Sequence, residues 1–320
     1  MDAPSPDTTD TSARNAHARD EGLSPGIATL AGFGAVMLWG TLATLTVLKG
    51  AAIPAFQTTA IAFLVGGLII AAIAIVRGRI RAMMPTPASF LLGVYGLFLF
   101  HALYFAALRL APTAEAGLIA SLWALFTVLM SGLLPGHRLA PRHIAGAMLG
   151  LLAATLLVWN KFGGTEDFPH SHIGFLFALG CALVWASYSV LSRLIPGVPS
   201  ESLTLPCFAT ALLAAICSVA FETLVMPQTP LQWSALLLLG LGPVGVAFLL
   251  WDIGMKRGNV AYLGVLGYAS PVISTTLLIL LGFAEPTFTL AMACGLIVFA
   301  AWLAAPRRVR PRDAVSRSGT

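Results

Sequence analysis

The sequence predicts an all-α integral membrane protein of ten transmembrane helices, folded as two inverted five-helix repeats around a central cavity. Three observations predict it. Of the 320 residues, 58% are hydrophobic and only 10% are charged, against about a quarter charged in a soluble domain. The apolar residues fall into ten runs, each near the roughly 20 residues that a spanning helix needs. Two segments of the first half also recur in the second, at separations of 146 and 147 residues.

Residues 1–26 are polar, carry five acids and lack an apolar stretch, so they read as a disordered cytoplasmic tail rather than a signal peptide. The first run is 27–48 and the second 53–76, which ends at Arg77, Arg79 and Arg81. The third, 88–107, and the fourth, 112–134, meet in a hairpin around Pro112. The fifth, 142–160, completes a first repeat of 27–160, followed by an external loop, 161–172. The second repeat, 173–305, holds runs at 173–194, 203–221, 232–251, 257–282 and 287–305, the last after a turn around Pro286. Residues 306–320 form a basic cytoplasmic tail with five arginines; it reads as a stop-transfer flank, with contact to anionic lipid heads as the alternative.

Charge placement supports this division. With ten crossings, the side that holds both termini carries 15 Lys and Arg, and the other side only Lys49, Arg109 and Lys161. The basic side is expected to be cytoplasmic. Cys181, Cys207, Cys217 and Cys294 lie inside apolar runs without metal-ligand spacing and are expected to be free, buried thiols.

The recurring segments are LWGTLATL from Leu38 against VWASYSVL from Val184, and ALRLAPTAEAGLIASLWAL from Ala107 against GMKRGNVAYLGVLGYASPV from Gly254. Five crossings per half insert the halves in opposite senses. Inverted repeats are the usual architecture of secondary transporters, with a site near the midplane and alternating access as the mechanism.

Candidate site residues follow from polar and aromatic groups that lipid cannot satisfy. Trp159, Trp233, Trp251 and Trp302 fall at ends of the expected helices, where tryptophan normally gathers. Trp39, Trp123 and Trp185 fall at helix centres instead. Their indole N–H groups need partners, so they face the bundle or a cavity; large packing residues between helices are the alternative. His101 and Tyr104, three apart on one helical face, are expected to bind substrate, a structural histidine bonded to a carbonyl being the alternative. Ser121, Ser189 and Tyr268 add neutral polar groups near the centres. Pro206, Pro243 and Pro271 are candidate kinks or hinges. Gly146 and Gly150, and Gly240, Gly242 and Gly245, read as close-packing faces.

No acid or cation is expected at a helix centre, with Asp252 at a helix end paired to Lys256. A strongly anionic substrate lacks its counter-charge there, and an exporter of lipophilic cations lacks its carboxylate. The remaining groups suit a zwitterion or a neutral metabolite, moved by facilitated diffusion. No cofactor and no nucleic-acid partner is expected; the partners are a small-molecule substrate and membrane lipids, with the monomer as the functional unit. An intramembrane enzyme is a remote alternative, because no nucleophile–base set or metal cluster is visible. A pore without alternating access is another.

The WG and WA pairs, ALR…A..AGLI..LWAL and the two halves resemble the drug/metabolite transporter superfamily, EamA type, over 27–305. HALY, EAGLIASLWALFTVLMSG and VWASYSVLSR are similar to its aromatic amino-acid exporter branch. The resemblance implies a multi-pass protein of the bacterial inner membrane that exports amino acids, with His101, Tyr104, Trp123 and Trp185 lining the cavity. Phe100 and Ser121 stand where some relatives are expected to carry tyrosine, so threonine or methionine fit as well as aromatic substrates. Export of another small metabolite or drug is the alternative.

Overall fold

A computed structural model describes residues 23–137, 139–158, 171–195 and 197–305. The tails beyond them, Arg138, and residues 159–170 with Trp159 and Lys161 lie outside the described residues. Every regular element within them is helical. Seven segments are long and apolar enough to cross a membrane: α1 (Pro25–Lys49), α2 (Ala55–Val76), α3 (Pro87–Leu110), α6 (Ser171–Leu194), α7 (Ser200–Phe221), α8 (Pro230–Arg257) and α9 (Val260–Leu280). Shorter apolar helices are α4 (Glu115–Ser131) and α10 (Phe288–Ala304), and α5 spans Pro141–Val158.

The starts are written locally. Ser24 accepts the Ile27 N–H before Pro25, and Thr86 accepts the Ser89 N–H before Pro87. Thr229 and Gln232 make a reciprocal capping box around Pro230; Asn259 caps α9 at 2.9 Å and Thr287 caps α10 at 3.2 Å. Such caps satisfy N–H groups that the first turn leaves without partners.

One boundary corrects the sequence reading. The eighth helix runs on past Trp251 to Arg257, because Asp252 and Lys256 pair at 2.7 Å along the helix and neither charge ends it. Trp251 is therefore a buried mid-bundle residue, 1% exposed, rather than an interfacial one, and Asp252 is buried with it. Cys217 and Cys294 are only partly buried, unlike Cys181 and Cys207, because they sit nearer the outer surface of the bundle.

Several helices are interrupted, and the interruptions repeat. Wide helical turns with bonds five residues apart occupy Tyr95–Leu99 of α3 and Gly240–Val246 of α8; shifting the first by 147 places it inside the second. The turn at Ser121 and Leu122 in α4 corresponds in the same way to Tyr268 in α9. The break at Gly40 and Thr41 in α1 has no counterpart in α6, which is helical across that position. Packing follows the repeat as well: α2 lies on α7, α4 on α9 and α5 on α10, while α1 packs on α8 as α6 packs on α3. Glycines permit the tight crossings, since a Cβ on Gly240 meets Val65 at 2.5 Å and one on Gly254 meets the Gly32 Cα at 2.7 Å. Gly146 and Gly150 are likewise tight, whereas Gly242 meets nothing nearer than 3.7 Å.

The α2/α7 pair is clasped at both ends. At one end the Glu222 carboxylate accepts the backbone N–H groups of Phe56 at 2.8 Å and Gln57 at 3.0 Å, capping α2 from outside. At the other, Arg79 meets Glu201 at 3.0 Å. Replacing Glu222 by alanine leaves two N–H groups at the start of α2 without acceptors, a cost of about 1–2 kcal/mol. Thermal unfolding of the purified protein is expected to shift down measurably for Glu222→Ala and by less for Glu222→Gln; an unchanged midpoint in both contradicts the clasp.

Candidate binding cavity

A cavity of about 190 Å³ lies among α1, α3, α4, α6, α8 and α9. Helix interruptions shape it. Ser121 and Trp123 come from the turn in α4, Tyr268 and Pro271 from the turn in α9, and Pro243 and Val244 from the widened turn of α8. Phe100 and His101 follow directly on the widened turn of α3. Trp39, just before the α1 break, and Trp185 complete the wall.

Seven of the sequence-nominated residues thus come together: Trp39, Phe100, His101, Ser121, Trp123, Trp185 and Tyr268. Two do not. Tyr104 lies one turn beyond His101, its ring stacked on Phe100 at 6.1 Å, outside the lining. Ser189 is fully buried and supports the wall from behind, its Oγ accepting the Trp251 indole N–H at 3.0 Å. Among the nominated hinges, Pro206 sits in the first turn of Thr204–Phe221, where a missing N–H costs little. Pro271 is similarly taken up in the first turn after the α9 break. Pro243 alone lies inside an irregular turn. The Ala247 N–H there bonds to the Gly242 carbonyl five residues back, and the Pro243 carbonyl accepts the Trp39 indole N–H at 2.9 Å.

Four tryptophans form the heart of the site. Ring centroids of Trp39 and Trp251 are 5.0 Å apart, of Trp39 and Trp185 5.5 Å, of Trp123 and Trp251 5.7 Å, and of Trp39 and Trp123 6.2 Å. Edge and tilted geometries of this kind suit the ring quadrupoles and add about 0.5–1.5 kcal/mol per pair beyond burial. The His101 ring stands edge-on to Phe63 at 5.0 Å, and its Nδ1 lies 2.7 Å from the Leu97 carbonyl. A carbonyl only accepts, so that nitrogen carries a proton.

Trp251 and Phe248 were missed by the sequence reading. The repeat offset of 147 held the signal: it carries His101 onto Phe248 and Tyr104 onto Trp251. Trp251 packs behind the lining tryptophans one turn along α8 from Phe248, toward the end where Arg193 donates to the Met255 and Gly258 carbonyls and Lys256 to the Val198 carbonyl. None of the described lining residues is Asp, Glu, Lys or Arg.

The EamA-like transporter family model matches residues 26–159 and again 172–305, two copies 146 residues apart. This chain belongs to that family. Each half of the chain thus matches one copy of the same transporter-family unit. Among curated proteins, the chain is 48% identical over 277 residues to the aromatic amino acid exporter YddG of Ancylobacter novellus, covering 86% of this chain and 96% of that protein. It is 28% identical to the aromatic amino acid exporter YddG of Escherichia coli, covering 88% and 98%. A crystal structure at 48% identity superposes with a TM-score of 0.84, covering 88% of this chain and 97% of that one.

Proposed function

We propose that this EamA family member exports neutral, zwitterionic amino acids, aromatic ones included, across the bacterial inner membrane by alternating access. The observation that carries the reading is the cavity walled by Trp39, Trp123 and Trp185, backed by Trp251 and without a charged side chain among its described lining residues. Its aromatic faces suit apolar side chains, and its neutral polar groups suit a zwitterion whose charges cancel. The relatives named as aromatic amino acid exporters support the substrate class.

All ten helices cross the membrane in this reading, as two inverted repeats. The helix interruptions at one offset and the packing of α2, α4 and α5 on their own counterparts support a two-fold exchange of the halves. The basic end, with Arg79, Arg193 and Lys256, is cytoplasmic, as are both termini. Trp251 then blocks the cytoplasmic side of the cavity, and its repeat counterpart Tyr104 occupies the opposite side, ready to close there when the halves exchange conformations. Asp252 is committed to Lys256 at 2.7 Å and no carboxylate is among the described residues that line the cavity, which supports transport down the substrate gradient. The monomer is the working unit.

The test is uptake of labelled phenylalanine, threonine and methionine into proteoliposomes holding the purified protein, beside Trp185→Ala, with a sugar phosphate and a lipophilic cation as competitors. Saturable amino-acid flux, at least tenfold lower in the variant and indifferent to an imposed pH gradient, is the expected result. Competition by the cation with no amino-acid flux overturns the proposed substrate class.

A further inference from the structure

We infer that the four tryptophans divide into two that hold the bundle and two that read the substrate carboxylate. This rests on the amino-acid reading above and deepens it. The indole has a single polar atom, a donor. In Trp39 it is committed to the Pro243 carbonyl at 2.9 Å, and in Trp251 to Ser189 Oγ at 3.0 Å. Among the described residues no protein group accepts the N–H of Trp123 or Trp185, and neither nitrogen is sealed away from space. Both residues line the cavity, Trp185 at only 4% exposure, with ring centroids 6.5 Å apart. Two hydrogen bonds of about 2.9 Å to the two oxygens of one carboxylate can bridge such a separation.

Two other polar groups of the lining, His101 and Ser121, offer acceptors, beside the hydroxyls of Tyr268 and Ser270. With the Nδ1 proton given to the Leu97 carbonyl at 2.7 Å, Nε2 of the neutral His101 ring offers a lone pair. Ser121 gives its O–H to the Leu118 carbonyl at 2.6 Å and keeps only oxygen lone pairs. Donors on α4 and α6 and acceptors on α3 and α4 therefore match the two ends of a zwitterion: carboxylate on Trp123 and Trp185, ammonium on His101 and Ser121. An acceptor-only group left without donors in this enclosed site loses its desolvation cost uncompensated, so the two indoles set the discrimination between an amino acid and its decarboxylated amine.

The experiment uses the full chain in proteoliposomes. Uptake of labelled phenylalanine is inhibited by unlabelled phenylalanine, by phenethylamine, which lacks the carboxylate, and by N-acetylphenylalanine, which lacks the ammonium. Wild type is compared with Trp123→Phe, Trp185→Phe, Trp39→Phe and the exposed control Trp302→Phe, each keeping a ring and removing an N–H. The preference for phenylalanine over phenethylamine is expected to fall at least about tenfold in Trp123→Phe and in Trp185→Phe, the loss of one charge-assisted bond. Trp39→Phe weakens all inhibitors alike. An unchanged preference in both Trp123→Phe and Trp185→Phe overturns the inference while leaving the transport reading intact. Absence of phenylalanine flux in wild type overturns both. Should one variant assemble poorly, the other decides by the same ratio.

Discussion

Gly267→Ala is expected to lower transport at least tenfold while Gly117→Ala leaves it at the wild-type level. The two glycines differ in what a methyl group meets, Gly267 being buried in the cavity lining and Gly117 lying outside it. A Cβ on Gly267 lies 2.4 Å from Trp123 Cη2 and 3.1 Å from two further atoms of the same ring, whereas a Cβ on Gly117 meets nothing within 4 Å. The indole is rigid and already braced against Trp39 at 6.2 Å and Trp251 at 5.7 Å, so it relieves the overlap by swinging into the cavity that it lines. Overpacking of this kind costs about 1–3 kcal/mol, and the displaced ring also occupies substrate space. Gly117→Ala instead gains up to about 1 kcal/mol of helix propensity in α4. Initial uptake rates and thermal midpoints of the two purified variants check the pair: equal rates contradict the tight Gly267–Trp123 contact as a determinant of the cavity.

The contrast also indicates what the sequence could and could not carry. Helix existence was legible because lipid demands long apolar runs, and the expected edges lie within a few residues of the observed ones except in α8. There the apolar run was ended at Trp251 with Asp252 placed at the helix end, although its ion pair with Lys256 at 2.7 Å lets both stay on a helix that runs on to Arg257. That boundary error moved Trp251 to an interface and hid a residue packed against the cavity tryptophans. Central tryptophans were legible since indole N–H groups are conspicuous in lipid; which of them are spent on the protein depends on the Pro243 carbonyl and Ser189, partners 204 and 62 residues away. His101 and Tyr104 share a helical face, yet only His101 lines the space, because Tyr104 stacks on Phe100 one turn farther along. Periodicity supplies a face; depth along the helix comes from packing. Pro206 reads as a kink by residue type alone, while its place in the first turn of a helix depends on where the chain enters from Ser200–Leu203.

Trp251→Ala and Tyr104→Ala are expected to shift the sidedness of transport in opposite directions. Trp251 is 1% exposed, packs on Trp39 at 5.0 Å and bonds Ser189; its truncation costs the state described here about 3–5 kcal/mol. In the proposed state with the halves exchanged, Trp251 would leave its position beside the cavity and Tyr104 would take up the equivalent one. Truncating Trp251 therefore penalises one state more than the other. A differential of about 3 kcal/mol moves a two-state equilibrium on the order of a hundredfold. Trp251→Ala then favours the cavity open toward Lys256 and Arg193, and lowers the half-saturating substrate concentration on that side. Tyr104 stacks on Phe100 and tilts against Phe105 in the present state without an aromatic partner among the cavity tryptophans, so Tyr104→Ala is expected to penalise this state less than its counterpart, lowering the half-saturating concentration on the opposite side. Uptake into proteoliposomes of fixed orientation, measured from each side in turn, reads both shifts. Shifts of the same sign in the two variants contradict the exchange of Trp251 and Tyr104 as closing residues, because a merely structural role for both rings weakens transport equally from either face.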